Sequence, residues 1–250
     1  MLHASCFMLH ASCVKIVSYN VRHCVDIDGV RSEKATADVI AAQRANFVAL
    51  QEMDEKTARV QGVDQPKELG RLTQMHAEFA KAIPLRGGAY GNALLSQETP
   101  IAVKRLPLPG KEPRVLLLAE FADCFVGSMH LDLGKKQRHA AVSIVREAVE
   151  KAAAVKPVFI CGDWNDPPDS ETLKQIGQFM KVISTVKTHT FHGSSKNPVE
   201  QSHQRCVIDY IAVDSAHAAK VEVIASAVTE DRHTSDHAPI SVTLKMKNEE

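Results

Sequence analysis

A single mixed α/β domain is predicted by three features of the sequence. Apolar runs of strand length, such as Phe47-Val48-Ala49-Leu50 and Val158-Phe159-Ile160-Cys161, alternate with longer stretches whose apolar residues recur at helical spacing. The chain has 250 residues, 44% hydrophobic and 24% charged, which suffices to bury a sizeable core without disulfides or metals. No Gly/Ser-rich linker and no abrupt charge shift divides it.

The domain is expected to span residues 14–246. It opens at Val14-Lys15-Ile16-Val17-Ser18-Tyr19-Asn20, where apolar and polar residues alternate as in a strand. Ser32 is an N-cap for a helix in which Ala35, Val39, Ile40 and Ala42 share a face. A buried strand from Phe47 ends at Gln51-Glu52. Pro66 suits the first turn of a second helix, predicted to reach His76.

From Tyr90 to Phe121, short β-rich runs punctuated by Pro100, Pro107, Pro109, Gly110 and Pro113 read as antiparallel strands, and Cys124 to His130 adds another. Lys135 to Ala154 is the clearest helix, because Ala141, Ile144, Val145, Ala148, Val149 and Ala152 follow the i, i+3, i+4, i+7 pattern. A strand ending at Gly162-Asp163 follows, with others at Val207 to Val213, Val221 to Ala225 and Pro239 to Leu244. Thr190 to Arg205 is polar and aperiodic, so a loop is expected there.

Composition excludes several classes. No apolar run approaches the roughly 18 to 20 residues of a spanning helix, so an integral membrane protein is excluded. The 30 basic and 30 acidic residues cancel, which argues against tight sequence-independent DNA binding, although a nucleic acid remains a candidate substrate. Six Cys without a C-x-x-C pair read as reduced thiols, and a cytoplasmic location is expected. The segment 1–13, in which MLHASC occurs twice, lacks a signal peptide's cationic start and apolar core and is read as an extension ahead of the domain. A monomer is the default expectation.

The informative pattern is positional. Polar residues able to hold a metal or a phosphate stand at the ends of predicted buried strands: Asn20, Glu52, His130, then Asp163 and Asn165. Near the C-terminus come Asp209, inside an apolar run, and the pair Asp236-His237. Each alone has an ordinary reading as a turn residue, a cap or a solvated carboxylate. Asp209 is harder to dismiss, because a carboxylate within Val207-Ile208-Asp209-Tyr210-Ile211 would be buried or half-buried and needs a partner.

Taken in order, Val17-Ser18-Tyr19-Asn20-Val21, Val48-Ala49-Leu50-Gln51-Glu52, Gly91-Asn92-Ala93-Leu94-Leu95-Ser96, His130-Leu131-Asp132, Gly162-Asp163-Trp164-Asn165, Ile208-Asp209-Tyr210 and Ser235-Asp236-His237 resemble the successive motifs of the endonuclease/exonuclease/phosphatase superfamily. The resemblance runs from about Val14 to Leu244. It implies a DNase I-like, four-layered α/β/β/α sandwich with two mixed sheets, and cleavage of phosphoester bonds with Mg²⁺ or Mn²⁺. The stretch from Gly62 to Asn92 further resembles a compact bacterial-type branch of that superfamily. Two positions depart from the usual pattern, Met129 for Thr and Trp164 for Phe, and neither removes a presumed catalytic group.

The resemblance assigns roles. Glu52 and Asp236 would bind the metal, with Asn20 completing or orienting the site. Asp163 would deprotonate the attacking water and Asn165 would donate to a phosphoryl oxygen. His237, oriented by Asp209, would stabilise the charge that builds, and His130 would protonate the leaving oxygen or hold the phosphate. Arg22, Arg59, Asp64, Gln65, Tyr90 and Asn92 are expected along the substrate cleft from their places beside the motifs.

Other signals carry less. Lys135-Lys136-Gln137-Arg138-His139 reads more readily as a solvated face than as a polyanion grip. His189 and His192 lack companions at zinc-ligand spacing, and neither a P-loop, a dinucleotide fingerprint nor a G-x-S-x-G elbow is present. The sequence thus points to a metal-dependent phosphoesterase, more readily a diesterase than a monoesterase. A phosphatase of an inositol, sugar or lipid phosphate is the competing enzyme, and a silent binding protein on the same fold the competing class.

Overall fold

The computed structural model describes residues 13–186, 188–193 and 206–247. Residues 1–12, nearly all of the duplicated MLHASC segment, and residues 194–205 of the predicted loop lie outside these residues. The elements are β1 (Val14–Asn20), α1 (Glu33–Gln43), β2 (Phe47–Glu55), α2 (Gln65–Thr73), β3 (His76–Leu85), β4 (Gly88–Ser96), β5 (Ala102–Leu108), β6 (Arg114–Glu120), β7 (Phe125–His130), α3 (Lys135–Ala153), β8 (Val158–Asp163), α4 (Glu171–Ile176), β9 (Met180–Val182), β10 (Asp209–Asp214), β11 (Val221–Val228) and β12 (Ile240–Met246).

The strands form two six-stranded sheets, ordered β11-β12-β1-β2-β4-β3 and β5-β6-β7-β8-β10-β9. Each is mixed, with one central parallel pair, β1 with β2 and β7 with β8. Parallel neighbours need a crossover, and α1 and α3 provide the two. Helices cover the outer faces, so the central strands are buried on both sides and their apolar runs are continuous. In β1, Val14 and Ile16 pack between the sheets, while Val17 and Tyr19 join the core beneath α1 and α2. In β8, Phe159 and Cys161 face the inter-sheet core and Val158 and Ile160 face α3. The resulting layers are helix, sheet, sheet, helix.

Helix starts obey capping chemistry. Ser32, Asp64 and Ser170 accept backbone N–H groups from Ala35, Lys67 and Leu173 at the starts of α1, α2 and α4. The second helix is shorter than predicted. It stops at Thr73, where Gln74 takes a left-handed φ of 58°, and His76 opens β3 instead. That strand is missed in the sequence because it is a sheet edge, half exposed and without clean alternation. Met129 and Trp164, the two departures from the motif pattern, are fully buried on the α3 side of the second sheet.

Candidate active site

Strand register gathers the predicted residues at one end of the sandwich. Asn20 and Glu52 lie near the C-terminal ends of the parallel pair β1 and β2, and His130 and Asp163 end the corresponding pair in the facing sheet. β10 runs antiparallel to β8, so its first residue, Asp209, is registered with Asp163. β12 runs antiparallel to β1, which returns Asp236 and His237, just ahead of it, to the same end.

Two local distortions aim the side chains. β2 shifts register against β4 between Leu50 and Met53, and Glu52 within this bulge has a left-handed φ of 60°. A bulge re-aims a side chain, and the backbone strain, about 1–3 kcal/mol, belongs with a functional position. At Gly162, a Cβ would lie 1.7 Å from the Met129 carbonyl oxygen. Only glycine lets β7 and β8 approach closely enough to set His130 beside Asp163.

Asn20 is fully buried and faces both acid groups. Its amide nitrogen donates to Glu52 Oε1 at 2.9 Å and to Asp163 Oδ2 at 3.1 Å, while its oxygen accepts from the Arg22 backbone N–H at 3.1 Å. Of the two roles expected for Asn20, orienting the carboxylates is the one its hydrogen bonds perform. Asp163 sits between two imidazoles, with Nε2 of His130 and Nε2 of His237 each 3.6 Å from its Oδ2. His237 Nδ1 lies 2.9 Å from Asp209 Oδ2.

Asn165, with a left-handed φ of 52°, donates both amide hydrogens within the site, to Leu131 O at 2.9 Å and to His130 Nε2 at 3.0 Å. Donation to a phosphoryl oxygen, its expected role, therefore requires exchanging one of them.

The electrostatics separate the two imidazoles. Burial lowers the pKa of His130 well below the ordinary value, and the nearby positive charges of Arg114 and His237 add to the effect. Burial also opposes the charge on His237, but Asp209 and Asp163 outweigh it and push its pKa up to about 10. Asp163 rises to about 7, chiefly through burial and then through the Asp209 charge. Glu52 is raised by burial and by Asp236. The cluster of Asp163, Asp209 and His237 has ligand atoms within 4.8 Å of one another, but its imidazole, held protonated up to about pH 10, offers no lone pair to a metal. Glu52 and Asp236 also line the cavity, and both carry the carboxylate oxygens that a hard divalent cation prefers.

The cavity holds about 730 Å³ and is lined by Glu52, His130, Asp163, Asn165, Asp236 and His237 from the predicted set. Arg22 stands beside it, with Nε 3.4 Å from Asp236 Oδ2. Arg59 pairs with Asp54 at 2.6 Å and lies over the Tyr90 ring, 5.5 Å from its centroid. Three residues expected along the cleft belong to the framework instead. Asp64 caps α2, Gln65 ties His23 O to the Asp54 backbone N–H, and Asn92 joins the two sheets by donating to Val115 O at 2.8 Å.

Arg114 lines the cavity and is missed by the sequence reading. Its Nη1 reaches Tyr90 Oη at 3.4 Å and Glu112 Oε1 at 2.7 Å, and its buried Nε has no partner among the described residues. Leu133, Pro167, Phe191, Cys206 and Ile208 complete the lining and are also new. Of the basic run at 135–139, Lys135 and Lys136 are exposed, whereas Arg138 is buried, donating to Asp132 O and pairing with Asp166 at 2.9 Å.

Two mixed sheets packed face to face, with acids and imidazoles converging at one end, define a DNase I-like sandwich. The sequence model of the endonuclease/exonuclease/phosphatase family matches residues 17–237, and the chain belongs to that family of phosphoester hydrolases. Among solved structures, an endonuclease/exonuclease/phosphatase from Beutenbergia cavernae is 21% identical, with a TM-score of 0.76, over 94% of this chain and 72% of that one. A family protein from Bacteroides vulgatus is 16% identical, with a TM-score of 0.77, over 94% of this chain and all of that one, 100%. A mannosyl-6-phosphatase from Bacteroides thetaiotaomicron is 15% identical, with a TM-score of 0.70, over 92% and 99% of the two chains. At these identities the likeness is one of fold. No curated protein matches the chain by sequence.

Proposed function

We propose that this protein is a divalent-metal-dependent phosphoesterase that hydrolyses a phosphodiester by attack of an activated water. The observation that carries the reading is the placement of Asp163, a carboxylate pushed up to about 7 and flanked by two imidazoles at 3.6 Å, on the cavity that Glu52 and Asp236 also line. A base poised near neutral pH accepts a proton from water at useful driving force. Asn20 holds that base and Glu52 in register through one amide. His237, charged through its contact with Asp209, donates from Nε2 to phosphoryl oxygens as negative charge builds. Neutral His130 is fixed in angle by the Asn165 amide, 3.0 Å from its Nε2.

Glu52 and Asp236 would hold Mg²⁺ or Mn²⁺, which supplies Lewis-acid polarisation of the phosphoryl group and stabilises the leaving oxygen. The site residues themselves supply the base, the charged donor and the second imidazole. A phosphomonoesterase is the second reading, favoured by Arg114, whose buried Nε has no partner among the described residues and can donate to a further phosphoryl oxygen.

The test is hydrolysis of bis-p-nitrophenyl phosphate against p-nitrophenyl phosphate with Mg²⁺, Mn²⁺ or EDTA, with Asp163→Ala as the blank. Metal-dependent diester cleavage lost in the variant supports the proposal. Preference for the monoester favours the phosphatase. Turnover that persists in EDTA overturns the metal requirement.

A further inference from the structure

Directly beneath the site, the space between the sheets holds a polar layer. Ile16 of β1, Ala49 of β2, Leu94 of β4 and Val126 of β7 lie in the apolar inter-sheet core. Side chains two residues apart on a strand share a face, so Ser18, Gln51, Asn92 and Ser128 come next on that face. All four are buried, at most 2% exposed. One step further along β1 and β7 stand Asn20 and His130.

Ser128 is at the centre of this layer. Its Oγ accepts from Gln51 Nε2 at 3.1 Å and donates to Leu50 O at 2.9 Å, and its carbonyl oxygen accepts from Asn92 Nδ2 at 3.4 Å. Ser18 Oγ in turn reaches Gln51 Oε1 at 3.5 Å. Leu50 and Gln51 are the two residues ahead of Glu52, where the bulge of β2 begins. A hydroxyl of the second sheet, two residues from His130, therefore grips the first sheet where it turns to present Glu52.

We infer that Ser128 and Gln51 are positioning residues, whose cross-sheet contact sets the spacing of the two sheets at the site and with it the reach of Asn20 to Asp163. The inference rests on the phosphoesterase reading above and deepens it. Apolar contact is non-directional, whereas a hydrogen bond weakens steeply once its length and angle depart from ideal. A satisfied polar network within an apolar core thus rigidifies an arrangement that packing alone leaves looser.

The site needs that rigidity because its carboxylates come from different sheets. Glu52 belongs to the first and Asp163 to the second, and the Asn20 amide donates to them at 2.9 and 3.1 Å. Parting the sheets by about 1 Å would break the contact to Asp163, and a misplacement of that size costs about 10²-fold in rate. Stability alone does not call for the layer, since replacing both partners of a buried hydrogen bond by apolar groups of similar shape is nearly neutral.

The experiment compares Ser128→Ala with the double variant Gln51→Leu, Ser128→Ala. The single variant leaves the Gln51 amide buried and unpaired, so it should melt below the wild type, and the double variant should regain most of that loss. Turnover of bis-p-nitrophenyl phosphate at saturating Mg²⁺ should not follow. In both variants kcat is expected to fall about tenfold or more, with KM within about twofold of the wild type. In crystals of the double variant, the contact between Asn20 Nδ2 and Asp163 Oδ2 should be broken. Should Ser128→Ala not fold, the double variant carries both readouts.

A kcat that recovers together with the melting temperature, a loss confined to KM, or an Asn20–Asp163 contact kept at its wild-type length each overturn the inference. A wild type that cleaves no phosphoester would sink the phosphoesterase reading, and the crystallographic distance would then decide the positioning role by itself.

Discussion

Nδ1 of His237 lies 2.9 Å from Oδ2 of Asp209, and both side chains are buried. The pair joins an element end of one sheet to the loop ahead of a strand in the other, so it exists only when the sandwich is assembled. Asp209 fixes the ring so that Nε2 faces Asp163 and, with that second carboxylate, keeps the imidazole charged up to about pH 10.

Asp209→Asn tests this role. The variant should lose about 10²-fold or more in kcat, because the amide neither orients nor charges the ring as a carboxylate does. The pH profile gives the sharper readout. In the wild type, the charged donor is lost only as pH rises through about 10. In Asp209→Asn, the alkaline limb should move toward neutrality. An alkaline limb that stays in place would show that His237 does not act as the charged donor.

Asp163 should cost stability as well as supply activity. Its folded pKa of about 7 lies above its ordinary 3.8, so between those values the folded state keeps a proton that the unfolded chain has released. Stability therefore falls as pH rises across that window. Asp163→Asn removes the titration. It should be inactive by about 10²-fold or more and should melt above the wild type at pH 8, with the gap closing below about pH 4. Thermal denaturation across pH, in EDTA, measures both limbs, and a variant that melts lower at pH 8 refutes the assignment.

The residues at the strand ends are legible in the sequence for a physical reason. Where helices cover both faces of a central strand, the strand reads as a continuous apolar run, and the residues that break it stand at its end, where the cleft lies. Asn20, Glu52, His130 and Asp163 each follow such a run. Arg114 is not legible this way, because it opens β6 instead of ending it. Only the antiparallel register, Leu116 with Met129, brings the start of β6 beside the end of β7. Phe191 is hidden for a similar reason, since its bridge to His237 spans the chain. Asp64, Gln65 and Asn92 show the converse limit. They stand beside motif residues in sequence, while their own side chains cap a helix or tie backbone together.

Gly162→Ala tests whether close strand approach builds the site. The added methyl would stand 1.7 Å from Met129 O, a backbone atom that cannot rotate away. β7 and β8 must then separate, which costs about 3 kcal/mol or more. Denaturant unfolding should show that loss or an unfolded protein. A neutral effect would mean that the strands yield without cost and that His130 and Asp163 are not locked by their register.

Arg114→Gln separates recognition of a dianion from that of a monoanion. The guanidinium lines the cavity with its buried Nε unpartnered, and it touches neither Asp163 nor His237 by any hydrogen bond among the described residues. Removing it should therefore raise KM with little change in kcat. A charge-assisted hydrogen bond is worth about 1.5–3 kcal/mol, so KM for a phosphate monoester, a dianion at neutral pH, should rise by about tenfold or more. A diester carries one negative charge and should lose less. Steady-state kinetics on p-nitrophenyl phosphate and bis-p-nitrophenyl phosphate give the ratio directly. Equal losses on both would make Arg114 a general electrostatic wall, and an unchanged KM on both would place the phosphate away from it.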